Sequence, residues 1–271
     1  MCELKKTMTG EDQESALESG TLRLWVADPD ALLADRSVER AADGLSAEER
    51  ARMQSLRFAA NRREFVVAHL LVRQALSHAA GLAPEAWRFR VNDYGKPAVE
   101  PACGVRFNLS HRKGLAVCLV AQGVEVGVDV EAVERGAEIL AITEQICSPQ
   151  ELVQLAQLRE DEQRSRALTL WTLKEAYSKA RGLGLSLALQ KISFVWSDEE
   201  GVGLVDASLA GAHERWRFCV IDYSGHRIAL VTEPLAEPKL ELWELGSLEE
   251  SPTRRRLSPV PEWFPFAAVS R

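Results

Sequence analysis

Phe107–Glu131 reads FNLSHRKGLAVCLVAQGVEVGVDVE, and its interpretation decides the fold. Phe107-Asn108-Leu109-Ser110-His111 closes one strand and opens a turn. Gly127-Val128-Asp129-Val130-Glu131 then reads as a buried strand carrying two acids. Side chains alternate faces along a strand, so Asp129 and Glu131 point one way, while Val126, Val128 and Val130 point the other. Two carboxylates about 4 Å apart repel by roughly 4 kcal/mol at an effective dielectric near 20. A cation, or a proton held by a raised pKa, relieves that repulsion. The plain alternative is a solvated sheet edge that happens to carry two acids.

Outward from this stretch the chain alternates strands and helices. Leu115–Val120 is apolar throughout, which predicts a central strand; Trp87–Val91 and Val105–Asn108 read as short strands, and Thr21–Ala27 as another. Ser46 with Glu49 makes a capping box and opens a helix through about Phe58. Phe65–Ala80 is helical and stops at Gly81. The second half repeats the order. Val124–Glu131 is a strand. Ser148 with Glu151 is a second capping box, with Pro149 at the first helical position. A long helix runs from about Glu162 to Arg181 and stops at Gly182. Lys191–Trp196, Arg215–Asp222 and Arg227–Thr232 read as strands.

Ser46 and Ser148 lie 102 residues apart, as do Val66 and Leu168. That spacing predicts a duplicated unit. The expected fold class is α/β (α+β): two similar α/β halves in a pseudo-twofold arrangement, with the site at their junction. The predicted organisation is a disordered start over 1–20, an N-terminal half over 21–123, a C-terminal half with the metal site over 124–233, and a Pro-rich extended tail over 234–271. Six of the eleven prolines fall in that tail.

Composition excludes several classes. No apolar run approaches the roughly 20 residues that span a membrane, and MCELKKTMTGEDQESALESG lacks the apolar segment of a signal peptide. Five cysteines without a Cys-x-x-Cys pair give neither a disulfide framework nor a zinc site. The expectation is a cytoplasmic monomer. A net charge of −7 argues against broad nucleic-acid binding.

Trp171, Glu175 and Lys179 in WTLKEAYSKARGLGLSL recur every four residues and share one helix face. Alone, Glu175 and Lys179 would be an ordinary surface pair. Gly182 and Gly184 follow at once and offer a turn where a ligand backbone could approach. Asp129, Glu131 and Glu175 make a three-carboxylate set suited to Mg²⁺, which shares its shell with substrate phosphates. His111 and Lys179 are candidate phosphate partners; Arg112 and Lys113 beside His111 favour an anion site over a structural histidine. Gly95-Lys96-Pro97 presents another cation on a rigid turn. Arg50, Arg52, Arg57, Arg62 and Arg63 surround the first half's helices.

The ordered set GKP, FNLSH, GVDVE and WTLKEAYSK…GLGLSL resembles the Sfp-type 4′-phosphopantetheinyl transferases, from about Ser46 to Leu187. The resemblance implies transfer of the phosphopantetheine arm of coenzyme A to a serine of an acyl or peptidyl carrier protein, leaving adenosine 3′,5′-bisphosphate. It implies that Asp129, Glu131 and Glu175 surround Mg²⁺ (or Mn²⁺) and the diphosphate. Lys179 would hold a diphosphate oxygen and His111 the nucleotide end near the 3′-phosphate. Arg52, Lys96, Pro97 and Ser110 complete the coenzyme A contacts. Arg112 and Ala176 stand where the family often has a small residue and Ser, and neither change removes a charged position. Two other readings use the same residues: a metal-dependent phosphohydrolase acting on coenzyme A or a nucleotide, and a non-catalytic carrier-binding module.

Overall fold

Two capping boxes and two glycine stops punctuate the chain. In the computed structural model, which describes residues 17–197, 201–257 and 263, each predicted box forms. Ser46 accepts from the Glu49 amide while the Glu49 carboxylate accepts from the Ser46 amide, and Ser148 with Glu151 does the same. They open helix α1 (Ala47–Ser55) and helix α3 (Pro149–Ala156). The long helices α2 (Ala59–Ala80) and α4 (Glu160–Arg181) both have 22 residues and end on left-handed Gly81 and Gly182. Matched end to end, they are offset by one residue less than the capping boxes. The first helix stops at Ser55, short of Phe58, because Leu56 turns extended and α2 begins afresh at Ala59.

The chain divides into two units. One comprises the residues up to Val124 together with Glu237–Leu257; the other contains Glu125–Ala236. In the first unit the strands are β1 (Thr21–Ala27), β4 (Val105–Arg112), β5 (Leu115–Gln122), β11 (Lys239–Glu244) and β12 (Thr253–Arg255), in the order β12-β11-β1-β5-β4. The apolar Leu115–Val120 run is central, paired antiparallel with both β1 and β4. Helix α2 packs on this sheet through Phe65, Val66, Leu71 and Leu76, against Trp25 and Phe107. A separate hairpin joins β2 (Arg88–Val91) to β3 (Pro97–Glu100).

In the second unit β6 (Val126–Ala132), β10 (His226–Thr232) and β9 (Arg217–Tyr223) form an antiparallel sheet in the order β6-β10-β9. Helix α4 packs on β6 and β10 with Leu168, Leu173 and Tyr177 facing Phe194 and Phe218. β7 (Ile192–Ser197) and β8 (Gly201–Asp206) make a hairpin.

The tail differs from the expectation. Residues 239–244 form β11, parallel to β1 in register from Thr21↔Lys239, and Leu242 and Leu245 are buried. Pro238 and Pro252 precede β11 and β12 rather than interrupting them, so proline content misled. Of the predicted disordered start, 1–16 lie outside the described residues; Leu17 joins the first unit's core. The end of the predicted tail, apart from residue 263, also lies outside the described residues after 257.

Candidate active site

Gly127 explains how the second unit's acids meet α4. A Cβ at that position would lie 2.1 Å from the Ala176 carbonyl oxygen and 2.6 Å from the Ala180 nitrogen. Only glycine lets strand and helix approach so closely. Asp129 and Glu131 share the Gly127 face by alternation, and both are buried. Val126, Val128 and Val130 are buried on the other face. A solvated edge is thereby ruled out for this pair.

Their repulsion is relieved by cations supplied locally. Lys179 Nζ donates to Asp129 Oδ1 at 2.6 Å. Glu131 Oε1 accepts from Trp171 Nε1 at 3.0 Å and lies 2.6 Å from an Arg135 guanidinium nitrogen. Trp171, Glu175 and Lys179 thus use the helix face that their spacing predicted. Glu175, one turn from Trp171 and one from Lys179 on that face, is partly buried. Its carboxyl is pushed above the usual carboxylate range, first by burial and then by the Asp129 charge, with Lys179 opposing and Glu131 adding.

The expected three-carboxylate cage is not assembled. Among the described residues no group of three or more His, Cys, Asp or Glu side chains is arranged to hold a metal ion. The physical reason is visible: Arg135 and Trp171 engage Glu131, and Lys179 engages Asp129. The donor chemistry still suits a hard divalent cation, because these are oxygen donors and the charge that raises Glu175 is the charge such an ion would offset.

The framework beneath this face is a buried ion pair absent from the sequence reading. Lys174 Nζ donates to Glu151 Oε2 at 2.6 Å and to the carbonyls of Ile146, Leu189 and Ile192. Both side chains are fully buried. Burial pushes the Glu151 carboxyl up and the Lys174 ammonium down. Glu151 also caps Ser148 and accepts from the Phe194 amide. Two segments, one ending at Ile146 and one spanning Leu189 to Ile192, are therefore tied to α4 one residue before Glu175. Their signal was half present: Glu151 was read as a cap, but not as a partner for the helix.

The remaining predicted residues lie in the first unit. Arg52 is exposed on α1; Lys96 and Pro97 sit at the β2–β3 hairpin, where the Lys96 amide donates to Asn92 Oδ1. Ser110 is buried and His111 half-exposed on β4. Glu64, unread in the sequence, lies 3.6 Å from His111. A cavity of about 450 Å³, lined among others by Glu162, Arg166, Trp196 and Arg227, shares no residue with the acids.

Residues 125–231 match the family model described as the 4′-phosphopantetheinyl transferase superfamily, and residues 34–123 match the model described as 4′-phosphopantetheinyl transferase, N-terminal. A 4′-phosphopantetheinyl transferase of Bacillus subtilis is 31% identical over 176 residues, covering 65% of this chain and 76% of that protein. The 4′-phosphopantetheinyl transferase HetI of Nostoc sp. is 28% identical over 210 residues, covering 75% and 86%. Among solved structures, a holo-(acyl-carrier-protein) synthase from Bacillus anthracis aligns at 20% identity and a TM-score of 0.35, over 40% of this chain and 94% of that one.

Proposed function

The chain belongs to the 4′-phosphopantetheinyl transferases of Sfp type, and from that premise we propose that it moves the phosphopantetheine arm of coenzyme A onto a serine of an apo acyl or peptidyl carrier protein. The observation that carries this reading is the pairing of Lys179 with Asp129 beside a Glu175 whose carboxyl is raised.

In the proposed reaction the serine hydroxyl oxygen attacks the β-phosphorus of coenzyme A. The new O–P bond forms as the bond from that phosphorus to the bridging oxygen breaks, and adenosine 3′,5′-bisphosphate leaves with that oxygen. Glu175 accepts the serine proton, directly or through a water. Lys179 exchanges its contact with Asp129 for a diphosphate oxygen. Mg²⁺ or Mn²⁺ would be held by Asp129 and Glu175, with Glu131 beside them, and when bound would neutralise diphosphate charge. Trp171 and Arg135 hold Glu131 in place. Arg52, Lys96, Pro97, Ser110 and His111 are the proposed nucleotide-end contacts.

We further propose a cytoplasmic monomer. Among the described residues no helix is long and apolar enough to cross a membrane, and Cys103, Cys118, Cys147 and Cys219 are free thiols. The test is incubation with coenzyme A, Mg²⁺ and a panel of apo carriers, read by intact mass. One added phosphopantetheine per carrier is expected. Coenzyme A cleaved without carrier modification would favour a hydrolase instead.

A further inference from the structure

His111 is the seventh residue of β4, and its side chain is 36% exposed. Left alone, such an imidazole would be free to change its orientation. It is not left alone. Glu64, in the second turn of α2, places Oε2 3.6 Å from His111 Nδ1. The backbone that carries it is anchored: Phe65, Val66 and Val67 follow directly and are buried.

His69, further along α2, gives Nδ1 to a hydrogen bond with the Phe65 carbonyl and stacks on the Phe65 ring. Burial holds it below the usual imidazole value, and the His111 charge adds to that, while Glu49 opposes it. On the strand itself Arg112 and Lys113 follow. On α2, Arg63 is paired with Asp30 and Arg62 donates to the Leu56 carbonyl. An acid in this cation-rich neighbourhood weakens anion binding unless it acts through a cation.

We infer that Glu64 is a positioning residue for His111, fixing the ring at Nδ1 so that Nε2 is presented to a phosphate monoester. This rests on the reading above, in which that group is the 3′-phosphate of coenzyme A. A carboxylate beside one ring nitrogen orients the ring, and in the imidazolium the second nitrogen also donates, here toward the phosphate.

The experiment is a calorimetric comparison of coenzyme A with 3′-dephospho-coenzyme A, on the full chain with Mg²⁺. It covers wild type, Glu64→Gln, His111→Ala and the double variant, with Tm as a fold control. Glu64→Gln should weaken coenzyme A binding roughly three- to fivefold, the range of a partly exposed ion pair, and leave the dephospho compound unchanged. His111→Ala should weaken it about tenfold, and Glu64→Gln should add nothing in that background. Where a carrier is modified, Glu64→Gln should raise KM for coenzyme A and leave kcat within about twofold. If His111→Ala weakens coenzyme A and Glu64→Gln does not, the positioning role is wrong and the His111 assignment survives. If Glu64→Gln weakens both compounds equally, the residue serves the fold and the inference fails. If neither variant matters, the His111 assignment and the inference fall together.

Discussion

The two long helices carry the same device and then diverge. At the fifteenth residue α2 has Arg73 and α4 has Lys174. Each reaches the glutamate of its own unit's capping box, Arg73 to Glu49 at 2.6 Å and Lys174 to Glu151 at 2.6 Å, and each also donates to loop carbonyls. At the sixteenth and twentieth residues α2 has Gln74 and His78, where α4 has Glu175 and Lys179. The facing strand also differs. In the first unit β1 offers Arg23 and Trp25, and Arg23 is answered by Glu241 from β11 at 3.2 Å, with the His78 and Trp243 rings close by. Glu241 accepts Lys239 and Arg254 as well. In the second unit β6 offers Gly127, Asp129 and Glu131. One helix–strand face is filled by aromatic rings and a buried ion pair. The other keeps carboxylates in surplus around Glu175. In the proposed function, chemistry is carried by the face whose charge is left incompletely balanced.

The largest effect should come from the shared device. Lys174→Met leaves Glu151 buried without its cation, which typically costs about 3–5 kcal/mol. Arg73→Met should cost less, roughly 1–3 kcal/mol, because Glu49 is 13% exposed where Glu151 is fully buried. Denaturant unfolding of both variants measures the difference; equal costs would show that the two pairs are interchangeable. Next, Asp129→Ala should cut carrier modification by about 10²–10³-fold, as loss of a charge-stabilising group does, with little change in Tm. Arg23→Met should do the reverse, lowering Tm and sparing turnover. A near-normal rate for Asp129→Ala at low Mg²⁺ would remove the functional contrast between the faces.

A further variant tests the close approach. Gly127→Ala drives a methyl into the Ala176 and Ala180 backbone. It should cost about 1–3 kcal/mol by overpacking and reduce turnover further, since α4 must move with Glu175 and Lys179. Unchanged stability would mean that α4 yields freely and that glycine is not what sets the spacing.

Much of this was legible locally. The capping boxes follow from Ser and Glu three apart, and the helix ends from Gly81 and Gly182. Valine alternation in β6 placed Asp129 and Glu131 on one face, and four-residue spacing placed Trp171 with Glu175 and Lys179. What escaped depends on contacts distant in sequence. A lysine in mid-helix reads as solvated; only the fold buries Lys174 against Glu151. β11 pairs with β1 from the far end of the chain, and nothing in KLELWE says where its partner lies. Arg135 is the exception, only four residues from Glu131: it reaches back from the short 3-10 turn that follows the strand, and the alternation that places Glu131 on its face does not show that turn. Glu64 and His111 belong to different elements, and neither alone announces the other.

The smallest expected effect is the most direct measure of the charge surplus. Glu175 has a carboxyl raised above its ordinary 4.5, by burial first and by Asp129 next. Between the ordinary and the raised value the folded chain binds more protons than the unfolded chain. Stability therefore falls as pH rises through that interval and stays lowered above it. Glu175→Gln lacks this loss. Its Tm should exceed that of wild type at pH 7 without divalent cation, and the gap should close below about pH 4, where the carboxyl is protonated in both states. For a chain of this size each 1 kcal/mol of penalty moves Tm by about 2–4 °C. Adding Mg²⁺ should narrow the gap by stabilising wild type more than the variant, while turnover of the variant stays low. A Tm below wild type at pH 7 would make Glu175 a stabilising group, and the second unit's face would then be as well balanced as the first's.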